Sequence, residues 1–300
     1  MRSTPEMKKF EFIRTALFVP GNRPDRVDKA VNTDADVVII DLEDAVPYAV
    51  KAETRPVVRQ KILDHKTPRV FVRVNALDSQ FFRDDLDELV VDDLACIIIP
   101  KIEQPEHIRE ANRLLTEAEA KKDLAPGSVS LIALIESALG VENAFQITSE
   151  KTIPERLFTV AFGAADFAQD MGIGMTKTAE ESAYPRARLT IACRAAGIDP
   201  PLDTPFMIDL KDPQALEADA IRAKQFGFQG KLCIHPNQVN ICNKIFSPTQ
   251  KEIEYAHKVI AAFNEAEAAG TAAIQMDGKF IDPPVVKQAR RVVKMAELID

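Results

Sequence analysis

The chain carries eight short apolar runs, each followed by turn residues and then by a segment with helical spacing. They are TALFV (15–19), DVVIIDLE (36–43), RVFVRVN (69–75), ACIIIPK (95–101), VSLIALIE (129–136), FTVAFGAAD (158–166), TPFMID (204–209) and KLCIH (231–235). The runs are rich in Val and Ile and mostly continuous rather than alternating. A strand that is apolar at every position is buried on both faces, as in a parallel sheet covered by helices. Between the runs, Pro105 and Pro213 follow Gln104 and Asp212, at the first helical position, where a missing N–H costs nothing. Ile108, Ala111, Leu114, Leu115 and Ala118 then recur at helical spacing, as do Leu216, Ala220, Ala223 and Phe226. Alternating units of this kind predict an α/β fold, a (β/α)8 TIM barrel, with a doubly wound open sheet as the alternative.

The barrel is expected to occupy residues 1–245 and a C-terminal helical extension residues 246–300. In the extension, 249–268 and 284–299 read as helices, with an Asp-Gly turn at 277–278 between them. A closed barrel has no need of this tail, so it reads as an interface element or a lid.

Composition narrows the partners. A net charge of −8 repels nucleic acid and anionic membrane, and an anionic small molecule needs a local cluster of Arg and Lys. No run approaches the ~18 apolar residues of a membrane span. The stretch MRSTPEMKKF lacks the apolar core of a secretory leader. Cys96, Cys193, Cys233 and Cys242 show no paired spacing, and Cys96 and Cys233 sit inside apolar runs as buried thiols. A cytoplasmic protein is the expectation.

Charged and polar residues collect at the C-terminal ends of the runs: Asp41, Glu43 and Asp44, then Arg73 and Asn75, then Lys101 and Glu103. Glu136, Asp166, Asp209 and His235 end the later ones. A (β/α)8 barrel keeps its chemistry at this rim. So many carboxylates repel one another, and burial makes the repulsion worse. Arg73 and Lys101 offset part of it. A hard divalent cation offsets more, and oxygen ligands suit Mg²⁺, with Glu136 and Asp166 as the expected pair. Gly163, Ala164 and Ala165 precede Asp166 and let the backbone come close to a bound group. One or two of Asp41, Glu43 and Asp44 can instead cap the next helix. His235, before Pro236, reads first as a structural hydrogen-bonding residue.

Seven motifs in order resemble the citrate lyase β-subunit-like family, which includes malyl-CoA and citramalyl-CoA lyases. They are RTALFVPGNRP (14–24), DLEDAV (41–46), FVRVNALD (71–78), LIALIES (131–137), FGAADFAQDMG (162–172), GFQGKLCIHPNQ (227–238) and DGKFIDPPVV (277–286). The resemblance implies a (β/α)8 barrel assembled as a homotrimer or hexamer, with Mg²⁺ on Glu136 and Asp166. It implies that Arg73 contacts the 2-oxo acid and the reacting oxygen. Of the rim carboxylates, Asp44 is the one expected beside it in the catalytic set. The resemblance also implies that Asp282 reaches a neighbouring subunit's site as acid or base. An acidic chain needs a local basic entry for CoA phosphates, and Arg14 and Arg23, around the first strand–helix junction, are the candidates. Glu43, Gly163, Ala164, Ala165, His235 and Pro236 are the other expected contacts to substrate and CoA. The implied reaction is reversible cleavage of a short 3-hydroxy-3-carboxyacyl-CoA to acetyl-CoA and a 2-oxo acid. The alternative is a citrate lyase β subunit acting on a citryl-acyl-carrier protein within a complex. Asp170 in GAADFAQDMG is a departure from citrate lyase β subunits proper and resembles the stand-alone lyases.

Overall fold

The computed structural model describes residues 12–268, 270–271 and 273–299, so the stretch read for a leader lies outside it. The chain divides into two compact units, one ending at Asn243 and one spanning Lys244–Asp300.

In the first unit, eight parallel strands close into a barrel. These are β1 (Thr15–Pro20), β2 (Val37–Asp41), β3 (Val70–Arg73), β4 (Cys96–Ile99), β5 (Ser130–Ile135), β6 (Leu157–Phe162), β7 (Leu202–Asp203) and β8 (Gly230–Cys233). Pairing of Thr15, Ala16 and Leu17 with Lys231, Leu232 and Cys233 closes the ring. Helices follow the strands: α1 (Pro24–Val31), α2 (Lys51–His65), α3 (Phe82–Leu89), α4 (Pro105–Lys121), α5 (Ala138–Glu142) and α6 (Ala144–Thr148). They continue as α7 (Ala164–Met171), α8 (Ala183–Ala196), α9 (Pro213–Phe226) and α10 (Asn237–Phe246). The two prolines stand at the first turn of α4 and α9, and the Asp212 carboxylate caps α9 by accepting from the Ala215 N–H at 3.0 Å.

Alternation along the strands sorts the side chains. Ala16, Ile39, Phe71, Cys96, Ile98, Ile132, Leu134, Ala161, Leu202 and Leu232 share one cluster, the barrel interior. Their neighbours in sequence, such as Ile40, Val72, Ile97, Ala133 and Val160, are equally buried and face the helices. Burial on both faces is why the runs are continuous; each such aliphatic contributes about 1.5–3 kcal/mol. All four cysteines are buried thiols, and burial pushes the Cys96 thiol well up.

Two differences from the expected strands have physical causes. The seventh strand is Leu202–Asp203, before the expected 204–209. Pro205 has no N–H for a ladder, and Thr204 Oγ1 instead accepts from the Ala164 N–H at 3.0 Å. Second, two apolar-looking strands hide an ion cluster. Asp203 and Lys231 are register partners across β7 and β8, and both point outward, where Asp219 of α9 and Arg186 of α8 meet them. Lys231 Nζ lies 2.6 Å from Asp219, and Arg186 reaches Asp203 at 2.9 Å and Asp219 at 2.8 Å. The four charges sum to zero in a site closed to water.

The second unit pairs α11 (Gln250–Ala268) with α12 (Pro283–Ile299), and between them lies a hairpin of β9 (Ile274–Met276) and β10 (Lys279–Ile281). Ala256, Val259, Phe263, Ile281, Val286 and Ala289 form its core. Asp277 and Gly278 both take positive φ in the hairpin turn, as an Asp-Gly pair favours. Among the described residues no helix is long and apolar enough to cross a membrane.

The buried ion cluster makes a prediction. Lys231→Met leaves two buried carboxylates facing one guanidinium, and urea unfolding should show a loss of about 3–5 kcal/mol.

Candidate functional site

The inward-facing series does not end with the hydrocarbon layer. Ile39 continues to Asp41, Phe71 to Arg73, Leu134 to Glu136 and Ala161 to Gly163. Alternation thus carries a charged layer onto the top of the apolar interior, at the C-terminal mouth of the barrel.

Arg73 is its centre. Its guanidinium donates to both Asp41 oxygens, Nε at 2.7 Å and Nη2 at 2.6 Å, and Nη1 reaches Glu43 at 2.9 Å and Asp44 at 3.3 Å. Burial opposes this charge, but the carboxylates around it hold the guanidinium firmly protonated. The Phe18 ring packs beneath it, 5.0 Å from the guanidinium carbon. Asp41 also organises its own loop by accepting from the Glu43 and Ala45 N–H groups, each at 2.9 Å. Lys51 ties the same loop down by donating to the carbonyls of Leu42 and Glu43.

Glu136 is almost fully buried. One oxygen accepts from the Lys101 N–H at 2.8 Å. Burial first, then the charges of Glu43 and Asp166, push its carboxyl up to about 8. Glu43 is buried too and raised for the same first reason, against the pull of Arg73. Neither Glu43 oxygen makes a well-formed hydrogen bond, although Arg73 and Lys101 lie within ion-pair distance. Charge at this mouth is therefore unbalanced toward the negative. Gly163 backs directly onto Glu136: a Cβ there would stand 2.5 Å from Oε2, so only glycine fits. Lys101 has φ +56°, a left-handed backbone that costs a non-glycine residue about 1–2 kcal/mol. That geometry places its N–H on Glu136 and its ammonium 3.0 Å from Glu43.

A cavity of about 1060 Å³ opens over this layer, lined by residues that include Asp44, Lys101, Glu103, His107, Glu136 and Asp166. Its far wall is knitted by side chains: Ser137 Oγ donates to Glu103 at 2.7 Å, and the Ala138 N–H donates to Asp170 at 2.8 Å. The Glu103 N–H donates to His107 Nδ1 at 3.3 Å. Among the described residues, no three His, Cys, Asp or Glu side chains are grouped so as to hold a metal between them.

The structure brings together Arg73, Asp44, Glu43, Glu136, Gly163 and Asp166. It does not bring in Arg14, which precedes β1 and so stands at the opposite end of the barrel, bound to Asp36 at 2.6 Å. Arg14 leads into β1 rather than following it, so it is not at the first strand–helix junction. Asp209 is likewise outside the cavity lining, a half-buried partner of Lys177. Arg23 is exposed after β1 and pairs with Asp25 at 3.2 Å. Ala164 is buried at the start of α7, whereas Ala165 is exposed. His235 and Pro236 are exposed after β8, and His235 Nδ1 accepts from the Asn237 N–H. Asp282 lies in the second unit, where its carboxylate caps α12 by accepting from the Val285 N–H at 3.2 Å. Sequence reading missed His107 and the bond from Ser137 to Glu103; no local signal marks either.

Comparison with known proteins adds the family. The model of the HpcH/HpaI aldolase/citrate lyase family matches residues 14–236. Citrate lyase subunit beta of Leuconostoc mesenteroides subsp. cremoris is 38% identical, over 94% of this chain and 93% of its own length. An L-malyl-CoA/beta-methylmalyl-CoA lyase of Cereibacter sphaeroides is 35% identical, over 95% of each chain. A crystal structure of CitE from Mycobacterium tuberculosis with magnesium, acetoacetate and coenzyme A superposes with a TM-score of 0.75. It is 28% identical and covers 95% of this chain and 98% of its own. A family match across the barrel, with relatives alike over nearly the whole length, makes this chain a member of the HpcH/HpaI aldolase/citrate lyase family of carbon–carbon lyases.

Proposed function

We propose that the chain reversibly cleaves a short 3-hydroxy-3-carboxyacyl-CoA, of the citramalyl-CoA or malyl-CoA type, to acetyl-CoA and a 2-oxo acid. The observation that carries the reading is the buried carboxylate of Glu136 at the barrel mouth, lining one cavity with Asp166 and Asp44. Unbalanced buried charge fits a divalent cation, and the donors are oxygen only. Mg²⁺ is commonly held by one or two carboxylates with water and substrate filling the remaining positions, which agrees with a pair rather than a closed cage. Glu136 and Asp166 would hold it. Bound there, it would supply Lewis-acid polarisation of the substrate's hydroxyl and carboxylate oxygens.

The chain's own groups do the rest. Arg73, fixed by Asp41, presents fixed positive charge where the oxo-acid oxygen develops, and it needs no reorganisation during the reaction. Asp44 is exposed at the cavity and held on one side by Arg73, so it can accept the hydroxyl proton as the carbon–carbon bond opens. Asp282, carried on the C-terminal unit, would return a proton to the acetyl-CoA enolate carbon in a neighbouring subunit of a homotrimer or hexamer. Arg23, His235 and Pro236 are exposed after β1 and β8 and are proposed contacts to CoA.

A second reading is a citrate lyase β subunit working on a citryl-acyl-carrier protein. The 38% identity to the Leuconostoc subunit favours it. The purified chain alone separates the two. The first reading requires Mg²⁺-dependent release of pyruvate or glyoxylate from the free CoA thioesters, and silence on both would favour the second.

Three outcomes follow from the geometry. Glu136→Gln should lower kcat/KM by at least about a thousandfold, a loss typical of removing charge stabilisation from a reacting centre, measured by oxo-acid release. Gly163→Ala forces Glu136 off its position, and should abolish Mg²⁺ binding by calorimetry while circular dichroism stays native. The third concerns pH. Because the folded protein holds the Glu136 proton up to about 8 against an ordinary 4.5, the unfolded chain binds fewer protons between those values. The metal-free protein therefore loses stability as pH rises through that window. Urea unfolding in chelator should fall by roughly 1 kcal/mol per pH unit more steeply for wild type than for Glu136→Gln.

A further inference from the structure

Lys101 has no assigned part in the reaction, yet two unusual features meet in it. Its backbone is held at φ +56°, and it holds two of the buried carboxylates at once, Glu136 through its N–H and Glu43 through its ammonium. The left-handed backbone is unfavourable for lysine and would suit glycine, so the strain is maintained by these contacts. Among the described residues lining the cavity, Lys101 is the one side chain with a permanent positive charge, against Asp44, Asp78, Glu103, Glu136, Asp166 and Asp170. Its ammonium lies opposite Glu43, whose oxygens lack well-formed hydrogen bonds. The side chain itself is 55% exposed, so it can turn away without breaking packing.

We propose that Lys101 is the counter-ion of Glu43 in the metal-free protein: it neutralises Glu43 until a divalent cation is seated, and its ammonium is then released into the cavity to take the anionic end of the substrate. The inference rests on the divalent-cation reading given above. Binding of the cation removes the excess negative charge that held the ammonium in place. The freed charge then faces a cavity otherwise lined with carboxylates, where an anionic substrate needs a cationic partner. Lys101 is a positioning residue in the first state and a substrate contact in the second.

An amine paired with a carboxylate acylates slowly, so its reactivity reports the release. Metal-free wild-type protein is pulsed with acetic anhydride with and without Mg²⁺, and acetylation at Lys101 is read by peptide mass spectrometry, with Lys177 as an internal control. Mg²⁺ should raise the Lys101 rate about tenfold, as expected for a group losing a close opposite charge, and leave Lys177 unchanged. Calorimetry on wild type and Glu136→Gln runs in parallel. If Mg²⁺ binds wild type and not Glu136→Gln while the Lys101 rate stays flat, the release is wrong and the metal reading stands. If Glu136→Gln binds Mg²⁺ like wild type, the metal reading fails and the inference with it. A second variant guards the result. Lys101→Met should tighten Mg²⁺ about fivefold without substrate and raise KM more than it lowers kcat, and Lys101→Arg should restore both. Unchanged Mg²⁺ affinity and KM in Lys101→Met would also overturn the proposal.

Discussion

Arg73 stands on the inward-facing series of β3 beside Asp41, and the bidentate pair between them sits where the barrel's apolar interior gives way to its mouth. Everything polar nearby is arranged around that pair. Asp41 uses its remaining capacity to shape the loop that carries Glu43 and Asp44, and these two return to the same guanidinium. Arg73 and Lys101 together cannot neutralise Asp41, Glu43 and Asp44 and also compensate Glu136 and Asp166. Burial first, and then the neighbouring carboxylates, raise the carboxyls of Glu136 and Glu43. A fold that spends buried volume on uncompensated charge loses stability by it, and such sites are where function resides.

The ion cluster behind β7 and β8 is built differently. Arg186, Lys231, Asp203 and Asp219 are as deeply buried as the mouth residues, but their charges cancel. That cluster is balanced in charge and joins two strands to two helices. The mouth, by the same physics, is incomplete.

The barrel was legible because its strands are apolar on both faces, and the rim residues because Asp41, Arg73 and Glu136 stand at the C-terminal ends of those runs. Gly163 was legible as a point of close approach, though not that it abuts Glu136. Other features lay beyond a linear reading. The short seventh strand ends where Thr204 bonds α7 instead of a ladder partner, a tertiary contact with no local signature. Arg14 looks like a rim arginine until the direction of β1 is considered. Asp203 and Lys231 look out of place in strands until α8 and α9 supply their partners. Lys101 was seen as a balancing charge, but its left-handed backbone depends on Glu136 across the next strand. Asp282 shows the opposite limit: within its own unit it caps a helix, and its proposed catalytic part depends on a second copy of the chain.

The central claim is that the carboxylate excess at the barrel mouth is a divalent-cation site. The most direct measurement is anomalous scattering from crystals of the protein soaked in Mn²⁺, a stand-in for Mg²⁺ with a usable signal. A single strong peak between the carboxylates of Glu136 and Asp166 is the predicted result. A protein saturated with Mn²⁺ elsewhere, with no peak at Glu136, would contradict it.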